Sequence, residues 1–218
     1  MVNKVGIIKH IENIDNKYLI ISLKLDENIE YKSGQYIIVL FSERLRRSYS
    51  ICSFNENEMI LTLAIKLDNG EGSNFLRKIK IGDKLDFLGP FGNFFYRDTN
   101  NATVLIATGI GITPIHAIIK YFDKCNNTDF QLFWGVKYEK DFIFDFTYLG
   151  DRYIPVVSDD FSNFYNKGYI TDFLLDNLKD FDKSDFYICG DPRIVRSIKS
   201  YIENKFFINK ERIYTEKF

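Results

Sequence analysis

The sequence predicts two parts in series, an N-terminal antiparallel β-barrel followed by an α/β domain with a parallel sheet. Two changes along the chain predict this. From Lys4 to about Phe95 the segments are short, β-type and separated by turn residues. Beyond the polar stretch Tyr96-Arg97-Asp98-Thr99-Asn100-Asn101, strand-like and helix-like segments alternate instead. The expected domains are therefore 1–98 and 99–218.

In the first part, Val5–Ile8, Tyr18–Leu23, Tyr36–Leu40 and Met59–Ile65 are β-branched and aromatic-rich, as half-buried strands require. Asp68-Asn69-Gly70-Glu71-Gly72 leads into one helical turn, Ser73–Arg77, and Lys80–Lys84 is a turn before the strand Leu85–Leu88. Gly89-Pro90-Phe91-Gly92 is expected as a sharp bend.

In the second part, Val104–Ala107 precedes a helix from about Pro114 to Asp123, and Phe130–Trp134 precedes a mixed segment through Phe146. Tyr153–Val157 then precedes a helix from Thr171 to Leu178, and Phe186–Cys189 precedes one from about Arg193 to Asn204. Such alternation implies a parallel sheet covered by helices on both faces. Ligands of these sheets sit at the carboxyl ends of the strands, here Gly109, Gly135, Ser158 and Cys189.

Composition narrows the function. A net charge of −1 over 218 residues argues against nucleic-acid binding. No stretch is long and apolar enough for a membrane span, and Met1–His10 lacks the apolar run of a secretion signal, so a cytoplasmic location is expected. Cys52, Cys125 and Cys189 are too dispersed for a disulfide framework or an iron–sulfur site. Two histidines, His10 and His116, leave little room for a His-based metal site or for Ser–His catalysis, and no metal is expected.

Three segments carry chemistry. Arg47-Ser48-Tyr49-Ser50-Ile51-Cys52-Ser53 offers a guanidinium for a pyrophosphate, an aromatic face for a planar ring and hydroxyls for ring nitrogens. Thr108-Gly109-Ile110-Gly111-Ile112-Thr113-Pro114 is a Gly-rich turn between strand and helix, where unpaired N–H groups favour an anion. Cys189-Gly190-Asp191-Pro192 places a thiol at the end of an apolar strand. In this order the three resemble the ferredoxin–NADP reductase family, FAD enzymes that exchange electrons with a nicotinamide nucleotide, over nearly the whole chain.

The resemblance implies roles residue by residue. Arg47 would pair with the FAD pyrophosphate and Tyr49 would lie against the isoalloxazine or ribityl region. Ser50 would hydrogen-bond near flavin N5, and Ser53 completes the motif. Ile65-Lys66 and Gly72-Ser73 match the family's pyrophosphate loop, with Gly72 admitting close backbone approach and the Ser73 hydroxyl aiding the cradle. Glu216-Lys217-Phe218 resembles the Glu-any-aromatic ending of plant-type members, with Phe in place of Tyr. Phe218 would stack on the flavin until nicotinamide arrives, and Glu216 would tune proton supply.

For the nucleotide, the resemblance implies Thr108, Gly109, Gly111, Thr113 and Pro114 in the loop, its glycines leaving room for the ligand. Cys189, with Gly190, Asp191 and Pro192, would stand near the nicotinamide C4 in a positional role. Ser50, Cys189 and Glu216 would converge on the flavin ring. The choice of nucleotide is divided. Lys137 and Lys167 fall where some NADPH-specific relatives carry basic residues, and Tyr169 is suited to stacking on adenine. Ser158, however, is followed by Asp159 and Asp160, which would repel a 2′-phosphate and lean the expectation to NADH.

The implied function is hydride exchange between NAD(P)H and FAD, with electrons passed to or from ferredoxin or flavodoxin. An NAD(P)H:flavin reductase or an oxygenase reductase component is the alternative; a non-catalytic FAD-binding redox sensor or assembly subunit is a reading from another class. Seven Lys/Arg against three Asp/Glu between Arg193 and Phe218, with Arg44, Arg46 and Arg47, form either solvated faces or a surface that steers an acidic carrier.

Overall fold

The computed structural model describes residues 3–160, 165–177, 183–205 and 207–218. The chain divides into two compact units, Met1–Tyr96 with His116–Tyr121, and Arg97–Ile115 with Phe122–Phe218.

The first unit is a closed antiparallel barrel of six strands: β1 (Lys4–Ile14), β2 (Tyr18–Leu25), β3 (Tyr36–Leu40), β4 (Arg46–Asn55), β5 (Ile60–Lys66) and β6 (Lys84–Phe91), in the order β1-β2-β5-β4-β3-β6. Period-two alternation decides what faces inward. Leu19, Ile21, Leu23 and Leu25 of β2 meet Ile37, Val39, Leu61, Leu63, Leu85 and Phe87 in one buried core. Each such side chain contributes about 1.5–3 kcal/mol of burial. The β1–β2 hairpin turns through Asp15 and Asn16, both at φ 52°, a conformation these residue types tolerate and that suits the twist of the strands.

Two sequence expectations shift here. Gly89-Pro90-Phe91 is not a bend but the end of β6, Phe91 pairing with Tyr36 across a register shift that absorbs the irregularity. The turn comes at Gly92 (φ 105°), where a side chain would press on the Tyr36 ring. The helical turn begins earlier than Ser73, forming α1 (Glu71–Leu76).

The second unit is a parallel sheet of β7 (Thr103–Thr108), β8 (Phe130–Val136), β9 (Tyr153–Val157), β10 (Asn166–Lys167), β11 (Asp185–Gly190) and β12 (Ile213–Lys217), ordered β10-β9-β8-β7-β11-β12. Every residue of β7 and β11 is buried, as strands covered on both faces must be. The helices are α2 (Ile112–Cys125), α3 (Ile170–Asn177) and α4 (Pro192–Lys205). Ile170 and Leu174 of α3 and Val195, Ile198 and Ile202 of α4 join Val104, Phe133, Phe186 and Ile188 in one core. Leu178, expected to end α3, lies outside the described residues.

The chain steps outward from β7 through β8, β9 and β10, then returns to the other side of β7 for β11 and β12. The reversal makes the carboxyl ends of β7 and β11 the topological switch point, where such sheets bind ligands.

The polar stretch after Tyr96 is tied to the opposite end of the sheet. The Arg97 N–H donates to Tyr187 Oη at 2.9 Å, and its guanidinium lies 4.4 Å from the ring centre of Tyr214. The Asp185 carboxylate, 2% exposed, accepts from Thr99, Asn101 and Arg212 (Nε to Oδ1, 3.1 Å). Those donors make its burial tolerable. No helix of the described residues is long and apolar enough to cross a membrane.

Candidate functional site

The barrel unit brings together two motifs that lie far apart in sequence. β4 carries Arg47, Tyr49 and Ser50 along the edge shared with β3, where Ser50 pairs with Tyr36 and Tyr49 with Ile37. Gly72, at the start of α1, packs against that edge. A Cβ there would lie 3.2 Å from Arg47 Cγ, 3.3 Å from Phe41 Cε2 and 3.4 Å from Tyr49 Oη. The bare glycine lets the first turn of the helix approach the guanidinium and the phenol. Arg47 is exposed, donating Nη1 to its neighbour's carbonyl, Arg46 O, at 2.8 Å. Burial pushes the Tyr49 phenol up to about 12, so it stays a neutral hydrogen-bonding group.

Ser50 is the most telling residue of this corner. It is 4% exposed, and its Oγ is buried without a hydrogen-bond partner among the described residues. Leaving a buried hydroxyl unpaired costs about 1–3 kcal/mol. That cost is removed by a ligand that bonds to it.

Other expected residues serve the corner indirectly. The Ser73 hydroxyl donates to Asp68 Oδ1 at 2.6 Å and accepts from the Asp68 N–H at 3.0 Å. Asp68 Oδ1 also takes the Gly70 N–H at 2.8 Å, and these bonds hold the Asp68 carboxyl below its usual range. Ser73 thus shapes the loop, with its hydroxyl already engaged. Ile65 is a core residue and Lys66 an exposed strand end. Ser53 lies beyond a bulge in β4, opposite Thr62. Sequence reasoning missed Phe41 and Phe75, whose rings are 5.0 Å apart beside Gly72 and whose spacing along the chain gives no sign of it.

In the sheet unit, the two loop glycines do different things. Gly109 has φ 53° and open space where a side chain would stand; its carbonyl accepts the Trp134 indole N–H at 3.0 Å. At Gly111, a Cβ would overlap the Cys189 carbonyl. The two loop glycines thus differ: Gly109 borders open space, while Gly111 admits the end of β11. Gly190 is likewise a packing glycine, with φ 140° and Thr108 against its α-carbon face. Thr108 Oγ1 accepts the Asp191 N–H at 3.0 Å. Asp191 in turn caps α4, taking the N–H groups of Arg193 (2.8 Å) and Ile194 (3.4 Å), with Pro192 in the first helical position. Thr113 donates to Ile110 O at 3.0 Å, and Pro114 is buried in the first turn of α2.

β12 draws the chain's last segment into this site. Cys189 pairs with Glu216 across β11 and β12, and the Phe218 N–H donates to Gly190 O at 3.2 Å, its ring half exposed. Glu216 Oε2 is buried without a partner among the described residues, and burial raises its carboxyl to about 7. Burial first, and Glu216 second, push the Cys189 thiol well up. Lys137, Ser158 and Asp159 stand at the carboxyl ends of β8 and β9; Lys167 is on β10, and Tyr169 just beyond it is exposed.

Residues 6–96 match the oxidoreductase FAD-binding domain, and residues 105–200 the oxidoreductase NAD-binding domain. The chain belongs to the oxidoreductases that join these FAD-binding and NAD-binding domains. Among its relatives, CDP-6-deoxy-L-threo-D-glycero-4-hexulose-3-dehydrase reductase of Yersinia pestis is 29% identical, covering 90% of this chain and 65% of that protein. The toluate 1,2-dioxygenase electron transfer component of Pseudomonas putida is 26% identical over 97% of this chain and 66% of its own. The chain thus spans just under two thirds of the length of these relatives. The ferredoxin–NADP reductase of Neisseria gonorrhoeae, solved with FAD and NADP, has the same fold, with a TM-score of 0.84 at 20% identity over 99% of this chain and 98% of that one.

The barrel residues fit the FAD for which the matching domain is named. An unpartnered buried hydroxyl, an exposed guanidinium and a bare glycine packed against that arginine's side chain are complementary to a flavin joined to a pyrophosphate.

Proposed function

We propose that this protein is an FAD-dependent NAD(P)H oxidoreductase that hands electrons to a protein carrier such as ferredoxin or flavodoxin, or receives them from it. We further propose residues 1–98 as its FAD-binding domain and 99–218 as its NAD(P)-binding domain. The observation that carries the reading is the union of Arg47, Tyr49 and Gly72 beside the unpaired Ser50 hydroxyl, in a domain of the FAD-binding family.

When bound, FAD supplies the exchange between two-electron hydride chemistry and onward electron transfer, which no side chain here can perform. The protein's work is binding, orientation and proton control. Arg47 would hold the pyrophosphate with its planar fork, the Gly72 turn presenting backbone N–H groups beside it. Tyr49 would flank the ring system, and Ser50 would donate or accept at its edge. On the sheet unit, Gly109 leaves the turn after β7 open to the nucleotide. Cys189, held neutral, would offer a compact apolar contact to the nicotinamide. Glu216, with a carboxyl near 7, would hold or release a proton at its unpaired Oε2 under neutral conditions.

A second reading, the reductase component of an oxygenase or similar system, is favoured by the electron transfer component of a dioxygenase among its relatives. The basic surface expected to meet a carrier is smaller than its residue count. Arg193 pairs with Asp191 (3.4 Å), Lys199 with Glu203 (3.7 Å) and Arg212 with Asp185 (3.1 Å). Arg196, Lys205, Lys210 and Lys217, with Arg44 and Arg46, carry what remains.

Reduction of ferricyanide by NADH or NADPH tests the enzyme reading, and cytochrome c reduction that requires ferredoxin or flavodoxin tests the carrier. Ferricyanide turnover without carrier-dependent turnover would favour the second reading. No turnover with either nucleotide would overturn both.

A further inference from the structure

We propose that His116 is a positioning residue for the flavin, holding the Cys52 carbonyl of β4 so that the Ser50 hydroxyl is fixed for the bound ring. This deepens the reading above and rests on it.

β4 changes register at this point. Ile51 pairs with Leu63 of β5 whereas Ser53 pairs with Thr62, so Cys52 is the extra residue of a bulge. The core shows the same step: Ile51 and Phe54 both join it, three residues apart where regular alternation requires two. A bulge takes its extra residue out of the ladder and lets the strand bend there. α2 supplies a partner for the displaced backbone. His116, on the stretch His116–Tyr121 that belongs to the barrel unit, sets its Nδ1 2.9 Å from the Cys52 carbonyl oxygen. A carbonyl only accepts, so Nδ1 carries the hydrogen of this bond.

The same Nδ1 lies 3.3 Å from Cys52 Sγ. A Cys–His pair at such a distance is also the layout of an activated thiolate. Here the thiol is 1% exposed, burial pushes it well above its usual range, and the Nδ1 hydrogen is committed to the carbonyl. The pair therefore holds the strand and makes no nucleophile.

The held residue is two positions from Ser50, about 7 Å along the strand. Ser50 Oγ is buried without a partner among the described residues, so its placement comes from the backbone. On one side that backbone is fixed by pairing with β3, Ser50 lying opposite Tyr36 and the Ile51 N–H donating to Gln35 O at 2.9 Å. On the other side is the bulge, and His116 ties it down. A strand already held in its binding geometry has less ordering to undergo when the ligand arrives.

Release of FAD from the loaded full-length protein on dilution, followed by flavin fluorescence, measures the effect at a temperature where circular dichroism shows the variants folded. His116→Leu should hold FAD about three- to tenfold more weakly, the worth of one hydrogen bond. His116→Asn should recover the wild-type affinity, because its amide N–H stands where Nδ1 does. His116→Gln, with its donor at the place of Nε2, should not, and these two variants make the same comparison if His116→Leu does not fold. With Ser50→Ala already present, replacing His116 should cost nothing further, since both act through one hydroxyl. In the wild type, nitrogen-15 NMR should find a hydrogen on His116 Nδ1. Equal affinity in wild type and His116→Leu, equal affinity in His116→Asn and His116→Gln, additive losses with Ser50→Ala, or an Nδ1 without hydrogen would each overturn the proposal. A wild type that holds no FAD would instead remove the flavin reading on which it rests.

Discussion

Cys189 and Glu216 stand directly opposite each other in the parallel pairing of β11 with β12, and burial drives both toward their neutral forms. A thiolate beside an ionised carboxylate would concentrate negative charge at a buried strand end. The arrangement avoids this by keeping the thiol protonated throughout the neutral range, leaving Glu216 as the group that titrates. A carboxyl near 7 with one oxygen unpaired is suited to exchanging a proton.

The first prediction is the resulting pH dependence of stability. The folded pKa of Glu216 is raised above the ordinary carboxyl value of 4.5 to about 7. The folded state therefore holds a proton that the unfolded chain has released. That contribution is complete below pH 4.5 and is lost as pH rises through 7, amounting to at most about 3 kcal/mol. The melting temperature of the wild type should fall between pH 5 and pH 8 relative to Glu216→Gln. Parallel pH profiles for the two proteins would contradict the assignment.

The second prediction concerns the flavin corner. Gly72→Val places a branched side chain against Arg47, Phe41 and Tyr49 and should yield folded protein with little bound FAD, as should Arg47→Ala. The ratio of flavin to protein absorbance, with circular dichroism as the check on folding, measures it. Tight stoichiometric FAD in Arg47→Ala would refute the pyrophosphate role.

The third separates the loop glycines. Gly111→Ala drives a methyl into the Cys189 carbonyl and should cost about 1–3 kcal/mol or more, the range for overpacking against unyielding atoms. Gly109→Ala meets no atom and should cost about 1–2 kcal/mol, from its left-handed backbone alone, while weakening nucleotide binding. Denaturant midpoints and nucleotide titrations of the two variants distinguish these outcomes. Equal stability losses with equal binding losses would contradict the division of roles.

Much of the fold was legible because it follows from local pattern. Leu19, Ile21, Leu23 and Leu25 alternate, and the central strands Val104–Ala107 and Phe186–Cys189 are apolar runs that only a doubly covered sheet requires. What stayed hidden depends on contacts between distant segments. Gly111 resembles any loop glycine until the β11 carbonyl is seen against it. The Ser73 hydroxyl looks available until Asp68 is placed. The tail Ile213–Lys217 is short and polar enough that only its pairing with β11 makes it a strand. The sum of charges likewise overstated the basic surface, since Arg212 lies against buried Asp185.

Hydride transfer to bound flavin is measured by anaerobic titration of the purified protein, followed through its visible spectrum, with NADH and separately with NADPH. NADH should bleach the flavin spectrum stoichiometrically, and NADPH only at higher concentration. A protein that holds flavin yet is bleached by neither nucleotide would contradict it.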